Sequence, residues 1–186
     1  HASHPRPPGR LAWLHGASVG EAASILPLAA ALREAEPGLN ILVTTGTVTS
    51  AARMAAELPA PAIHQYAPVD TRAAARRFLA HWHPDLAVRV ESEIWPRLLV
   101  ETRRARVPMA LVNARLPAGS AQGWARVPAM AARLFSLFDL IVTQDAETFA
   151  RLEAIGVPPG RLREGANLKS AVAVPEADPE ALAAAH

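Results

Sequence analysis

The segment Trp13-Leu14-His15-Gly16-Ala17-Ser18-Val19-Gly20-Glu21 joins a short apolar run to small residues and closes on a carboxylate. If a strand ends near Gly16 and a helix starts near Ser18, Glu21 stands beside a small pocket lined by backbone. A carboxylate placed there can take the proton of a substrate hydroxyl. Ser18-Val19-Gly20-Glu21 also has the S-x-x-E spacing of a capping box, in which Ser18 and Glu21 bond each other's backbone amides. The helix dipole favours an ionised Glu in the first turn and keeps its pKa low unless burial opposes it. A base requires Glu21 turned into a cleft, and a cap requires it turned back onto its own helix. Spacing leaves both open.

Glu91-Ser92-Glu93-Ile94-Trp95-Pro96 follows the apolar run Leu86–Val90 in the same way. Two carboxylates and a Trp at the end of such a run are costly without partners. Either one Glu bonds backbone amides or a nearby Arg, or at least one serves a ligand; the second reading is preferred. Two carboxylate sites at equivalent places in one fold suggest an enzyme. Val112-Asn113-Ala114-Arg115-Leu116 ends another run with an amide and a guanidinium, groups suited to an anionic or sugar ligand, though equally an ordinary loop.

A rival chemistry is present. Gly16-Ala17-Ser18-Val19-Gly20 matches the G-x-S-x-G nucleophile elbow of serine hydrolases. It would need an acid and then a His downstream. His64, His81 and His83 are available, none in an obvious loop after a late strand, and His186 lies in the tail. The elbow would also have to follow the first strand. The histidines show no metal-ligand spacing, and His81-x-His83 reads as a helix end. Neither G-x-G-x-x-G after the first strand nor G-x-x-x-x-G-K-[ST] occurs, which argues against NAD and a P-loop nucleotide.

The elements that must position these residues alternate. Apolar runs at Leu11–His15, Ile41–Thr45, Ala62–Tyr66, Leu86–Val90, Met109–Asn113 and Leu140–Thr143, with a weaker one at Arg161–Glu164, have the length of strands buried on both faces. Between them, about Gly20–Ala35, Val48–Leu58, Arg72–His81, Pro96–Arg106, Met130–Phe135 and Ala146–Ile155 read as helices. Ser18, Thr47, Thr49 or Ser50, and Asp70 offer starts, and Pro96 suits a first turn. Pro27 should kink or divide the first helix. The stretch Trp124–Phe138 reads as a helix on the sheet or as a surface meeting lipid, with arginines at headgroup level. The pattern implies an α/β, Rossmann-like open parallel sheet of six or seven strands with helices on both faces. Ligands then bind at the carboxyl ends of the strands, the edge shared by Glu21, Glu91 and Glu93.

The chain has 186 residues, enough for one domain with a real core. It has no Cys, so disulfides and thiolate metal sites are excluded. The net charge is +2 while the pI is about 9.9, because the basic residues are Arg except Lys169. The arginines are scattered apart from Arg76-Arg77 and Arg103-Arg104-Arg106, so no nucleic-acid partner is expected. No window approaches the roughly 18 apolar residues of a membrane-spanning helix. Residues 1–10 are polar and Pro-rich and read as a linker or cut edge. Residues 11–169 form the domain, and 170–186 read as a linker leading elsewhere.

Taken in order with Leu42-Val43-Thr44-Thr45 and Asn167-Leu168-Lys169, these motifs resemble the amino-terminal half of bacterial Kdo transferase, the 3-deoxy-D-manno-octulosonic acid transferase of lipopolysaccharide synthesis. The resemblance spans about Leu11 to Lys169. It implies a two-domain, inverting, metal- and cofactor-independent glycosyltransferase of the GT-B type at the cytoplasmic face of the inner membrane. The amino-terminal domain would hold a lipid A precursor, and a carboxyl-terminal domain most of the donor, CMP-Kdo. The family's general base falls on Glu21, and Glu91 is a supporting or acceptor-positioning candidate. Ser18, Gly20, Glu93, Asn113 and Arg115 are candidates for substrate binding. The family's hydrophobic anchor before the first strand and its donor domain are not within these residues, so the chain alone is expected to turn over little or nothing. The loop Leu116–Trp124 is also less rich in Arg and Ser than the family's.

The competing readings are a serine hydrolase and a Rossmann-like domain that binds sugar or lipid without catalysis. A serine-directed fluorophosphonate separates the first of these: Ser18 is expected to remain unlabelled, and labelling would overturn the transferase reading.

Overall fold

Seven short runs, most of them apolar or β-branched, pair side by side in one parallel sheet of order β3-β2-β1-β4-β5-β6-β7. The structure, a computed structural model, describes residues 4–168. Residues 1–3, Lys169 and the tail 170–186 with His186 lie outside the described residues, and so does the linker expected in that tail. The strands are β1 (Leu11–His15), β2 (Asn40–Thr45), β3 (Ile63–Tyr66), β4 (Leu86–Val90), β5 (Met109–Ala114), β6 (Leu140–Thr143) and β7 (Leu162–Glu164). Between them run α1 (Val19–Ala35), α2 (Val48–Glu57), α3 (Arg72–Trp82), α4 (Pro96–Arg104), α5 (Ala118–Ala125), α6 (Pro128–Phe135) and α7 (Ala146–Ala154). The open parallel sheet expected from the sequence is present with seven strands.

Side-chain alternation sorts the core into two layers. Leu11 and Trp13 of β1 pack with Phe78, Leu79 and Trp82 of α3 and with Leu98 and Leu99 of α4. Ala12 and Leu14 face the other way, onto Ala22, Ile25 and Ala29 of α1 and Met54 of α2. Both faces of the sheet are therefore covered, as a parallel sheet requires.

Several local features follow the sequence directly. Ser18 caps α1 and Thr47 caps α2, and Pro96 opens α4. Thr71, not Asp70, caps α3; Asp70 instead accepts the amide of Leu98 at the start of α4 at 2.7 Å. The arginine clusters are partly tied down, because the buried Glu101 carboxylate pairs with Arg76 at 2.7 Å and Arg104 at 2.6 Å.

Two expectations are corrected. Of the kink or division expected at Pro27, the division is absent: α1 runs as one helix from Val19 to Ala35. One missing N–H is outweighed by the burial of Ala22, Ile25 and Ala29 on either side of it. The stretch Leu116–Trp124, expected as a loop, contains α5. That helix carries Gly119 and Gly123, lacks a side-chain cap and buries none of its residues, so it has no apolar periodicity to read. The stretch Trp124–Phe138 breaks at Val127 into α5 and α6, and packs on the sheet through Ala131, Leu134, Phe135 and Phe138. Among the described residues no helix is long and apolar enough to cross a membrane.

The order of strands fixes where a ligand fits. Chain direction across the sheet reverses between β1 and β4, and a crevice opens outside the carboxyl ends of strands at such a switch point. Glu21 follows β1, and Glu91 and Glu93 follow β4.

The two-layer core predicts a sharp contrast between two substitutions on the α1–α2 face. Ile25→Ala, at a fully enclosed position, should lower unfolding free energy by about 2–5 kcal/mol in chemical denaturation. Val48→Ala, at a residue 76% exposed, should change it by less than about 0.5 kcal/mol.

Candidate functional site

The chain leaves β1 through Gly16, and a side chain there is sterically excluded. A Cβ on Gly16 would stand 2.8 Å from the Cβ of Glu21. The missing side chain lets the first turn of α1 fold tightly over the strand end. In that turn Ser18 Oγ accepts the Glu21 amide at 3.3 Å. Glu21 Oε2 accepts the amides of Ala17 at 2.5 Å and Ser18 at 3.0 Å. The capping box foreseen from the S-x-x-E spacing is formed. It engages only one carboxylate oxygen; Oε1 makes no hydrogen bond with the described residues. Gly20 is exposed on the same turn.

Burial pushes the Glu21 carboxyl above its ordinary range. The Ser18 amide opposes this, the negative charge of Glu93 reinforces it, and smaller opposed effects come from the Ala17 amide and the charge of Glu91. Among these causes burial is the largest, so Glu21 is a better proton acceptor than a solvated Glu despite its place at a helix N-terminus.

Glu93 is built in the same manner by side chains. Its Oε2 accepts Trp95 Nε1–H at 2.5 Å and contacts His15 Nε2 at 3.1 Å, while Oε1 makes no hydrogen bond with the described residues. His15 is buried, and its pKa is lowered to about 4 by burial first and by Arg89 second, against opposing effects of Glu93 and Thr44. At neutral pH the contact is therefore a neutral imidazole donating to a carboxylate. The Glu93 carboxylate can only accept, and it calls for the imidazole proton on Nε2. On the other side of the ring, Nδ1 lies 2.9 Å from Thr44 Oγ1 and 3.1 Å from the Thr44 carbonyl oxygen. Trp13 Nε1–H can only donate, and it donates to Thr44 Oγ1 at 2.8 Å, which leaves the Thr44 hydroxyl proton for Nδ1. For Glu93, burial pushes the carboxyl up, but the His15 and Trp95 hydrogen bonds and the Arg89 charge prevail and hold it below its ordinary value.

Behind this pair lies a polar row that sequence reasoning missed. Strand register places Gln65, Thr44, His15 and Arg89 side by side across β3, β2, β1 and β4. Arg89 is fully buried, lies 4.3 Å over the Trp13 ring, and none of its nitrogens has a hydrogen-bond partner among the described residues. Burial lowers its pKa to about 9 against the opposing charges of Glu93 and Asp70, so it is still a cation at neutral pH. A signal was available: Arg89 sits inside a five-residue strand that is otherwise apolar, and His15 and Thr44 occupy equivalent places.

The other candidates are distributed less simply. Glu91 is buried with a left-handed φ of 60°, and its backbone ties β4 to β5 through Val112 O. With Ser92 and Arg115 it lines a cavity of about 200 Å³ whose walls include Leu111, Trp124 and Phe135. Ser92 Oγ donates to Arg115 O at 2.7 Å. Asn113 is also left-handed, with φ 51°, and only 1% exposed. Its Oδ1 accepts the Leu168 amide at 3.1 Å, so it tethers the segment after β7. Ser18 shows no triad geometry, since no histidine among the described residues hydrogen-bonds to it. His64 meets Thr45, and His81 meets the His4 carbonyl. Among the described residues no three His, Asp or Glu form a group that could hold a metal ion.

This sheet, with paired carboxylates at its switch point, is the Rossmann-like amino-terminal architecture of GT-B-type proteins. UDP-N-acetylglucosamine 2-epimerase from Neisseria meningitidis superposes with a TM-score of 0.63 at 12% identity, covering 87% of this chain and 47% of that one. Residues 1–172 match the family described as 3-deoxy-D-manno-octulosonic-acid transferase (kdotransferase), and the chain belongs to that family. It is 34% identical over 174 residues to a probable mitochondrial 3-deoxy-D-manno-octulosonic acid transferase of Arabidopsis thaliana, covering 92% of this chain and 39% of the relative. It is 37% identical over 183 residues to the 3-deoxy-D-manno-octulosonic acid transferase of Bordetella pertussis, covering 95% of this chain and 41% of the relative. The chain thus spans about two fifths of these relatives' length.

The tautomer and charge of His15 are directly observable. Its imidazole should remain neutral with the proton on Nε2 as pH falls through 6, titrating only near 4, as followed by ring nitrogen shifts. The unfolded chain takes up this proton near its ordinary value of 6.5. Its contribution to stability is therefore full above about pH 6.5 and is lost as pH falls toward 4, at up to about 1.4 kcal/mol per pH unit. That slope should be absent from His15→Phe.

Proposed function

We propose that this domain binds the acceptor and carries the general base of an inverting glycosyltransferase. The enzyme moves Kdo from CMP-Kdo to a lipid A precursor in lipopolysaccharide synthesis, without metal or cofactor, at the cytoplasmic face of the inner membrane. A carboxyl-terminal domain of the same protein supplies most of the donor site. Family membership supports Kdo as the transferred group. Inverting transfer needs one base on the acceptor side, and the observation that carries the assignment is Glu21 itself.

The division of its two oxygens suits the task. Oε2 is anchored by the Ala17 and Ser18 amides, so the carboxylate does not rotate. Oε1 is left to face the acceptor hydroxyl. As that hydroxyl oxygen attacks the anomeric carbon of Kdo, its proton passes to Oε1. The bond from the anomeric carbon to the CMP phosphate oxygen breaks, and CMP leaves with the bonding electrons. Burial of Glu21 raises its affinity for the proton above that of a solvated carboxylate. The transition state carries oxocarbenium character, which a nearby fixed anion such as Glu93 favours. Ser18 and Gly20 border the acceptor hydroxyl. Glu91 and Arg115, which line the 200 Å³ cavity, support acceptor positioning, and Asn113 shapes the same edge from within.

In the full-length protein, Glu21→Gln should reduce Kdo transfer by roughly 10²- to 10⁴-fold while the protein remains folded by circular dichroism. Glu21→Ala should do the same. Transfer at the wild-type rate by either variant would remove Glu21 from the mechanism.

A further inference from the structure

Glu93 and the groups behind it form a second built carboxylate site. Its Oε2 takes two N–H donors, from His15 at 3.1 Å and Trp95 at 2.5 Å. Its Oε1 takes none from the described residues, and the side chain remains 13% exposed. The donor His15 is itself held by Thr44, and Thr44 by Trp13. The edge of the His15 ring meets Trp95, with centroids 5.7 Å apart at 89°, so the two donors brace each other. Arg89 is the nearby buried cation, enclosed and stacked on Trp13 with no hydrogen bond to the described residues. A fully buried guanidinium without a hydrogen bond is costly to keep. Its position beside His15 in the sheet gives it an electrostatic role that packing alone does not explain.

We propose that His15 and Arg89 are positioning residues of the transfer reaction: with Trp95 they fix Glu93 as an anion at the switch-point crevice, and its free Oε1 accepts a hydrogen bond from a hydroxyl of the acceptor sugar. The inference rests on the transferase reading given above. It separates the two carboxylates by role. Glu21 is anchored by backbone amides, is shifted up, and takes a proton. Glu93 is anchored by side-chain donors and shifted down, and it remains charged to orient the acceptor. Environments that push two neighbouring carboxyls apart in this way assign the proton-handling group and the fixed charge. The charged groups acting on the set are Arg89 from β4, Glu21 from α1, Glu91 from the turn after β4, and, on Arg89, Asp70 from the turn before α3. From helix α3 the Phe78 ring packs against Trp13, with centroids 4.6 Å apart.

The test uses the full-length protein with CMP-Kdo and a lipid A-type acceptor. His15→Phe removes one donor to Glu93 and should raise the acceptor KM roughly tenfold or more, with a smaller change in kcat. Glu93 then loses one of the hydrogen bonds that hold its carboxyl below the ordinary value, so the acid limb of kcat/KM should move to higher pH. His15→Gln keeps an N–H donor in place of Nε2 and should recover most of the KM. Arg89→Met replaces a buried cation by an apolar chain of similar size, which keeps the fold, and should move the same limb in the same direction. A purely structural role would lower stability and reduce kcat and kcat/KM together, with no shift of the limb and no recovery by Gln; that result overturns the proposal. Glu21→Gln, measured in parallel, keeps the two assignments apart. Retained transfer in it removes the base, whatever the His15 variants do. Lost transfer in it, with unchanged KM and limb in His15→Phe and Arg89→Met, removes only the positioning role.

Discussion

Two backbone amides, those of Ala17 and Ser18, hold a single oxygen of Glu21, and the rest of the site depends on how that contact is made. It requires α1 to begin immediately after β1. That in turn requires Gly16, because any Cβ there would collide with the Glu21 side chain at 2.8 Å. It also requires β1 to be central, so that its end opens at the switch point and not at an edge. A helix start built this tightly would ordinarily stabilise an ionised, unreactive Glu. Burial beneath the strand ends opposes the dipole, and so one residue can serve both as helix cap and as proton acceptor.

Glu93 shows the same design reached by other means. Where Glu21 uses amides, Glu93 uses the ring N–H groups of His15 and Trp95. The backbone between β4 and Glu93 passes through Glu91 with a left-handed φ of 60°. The cost of this solution is a polar row buried in the sheet, from Gln65 to Arg89. It is tolerable because Trp13, Thr44 and His15 satisfy one another in a single donor–acceptor sequence, and because Arg89 has the face of an indole instead of water. The two carboxylates therefore differ in basicity although both sit at strand ends on one crevice.

Much of this was legible in the sequence, and the residues show why. The strands were readable because Leu11–His15 and its counterparts are short, apolar and bounded by small or turn-forming residues. The helix start at Ser18 and the Pro96 turn follow from local chemistry alone. Helix α5 was not readable, since Ala118–Ala125 is held by its position between β5 and α6, with no buried stripe of its own. Pro27 does not divide α1, because burial on both sides of it outweighs one missing N–H. At the site, Glu21 and Glu93 could be named from their place after apolar runs. The roles of His15, Thr44 and Arg89 could not, because these side chains meet only through register between strands up to 78 residues apart from their partners in sequence. Asn113 and Glu91, each at a strand end, gave no sign of facing inward until their left-handed backbones were seen.

The most direct test is a site-resolved titration of the two carboxyl groups in the full-length protein, by carbon NMR of labelled Glu21 and Glu93. A Glu21 midpoint above the ordinary value of 4.5 and a Glu93 midpoint below it is the result this structure predicts. Equal midpoints, or the reverse order, would contradict the assignment of Glu21 as the proton acceptor and Glu93 as the fixed charge.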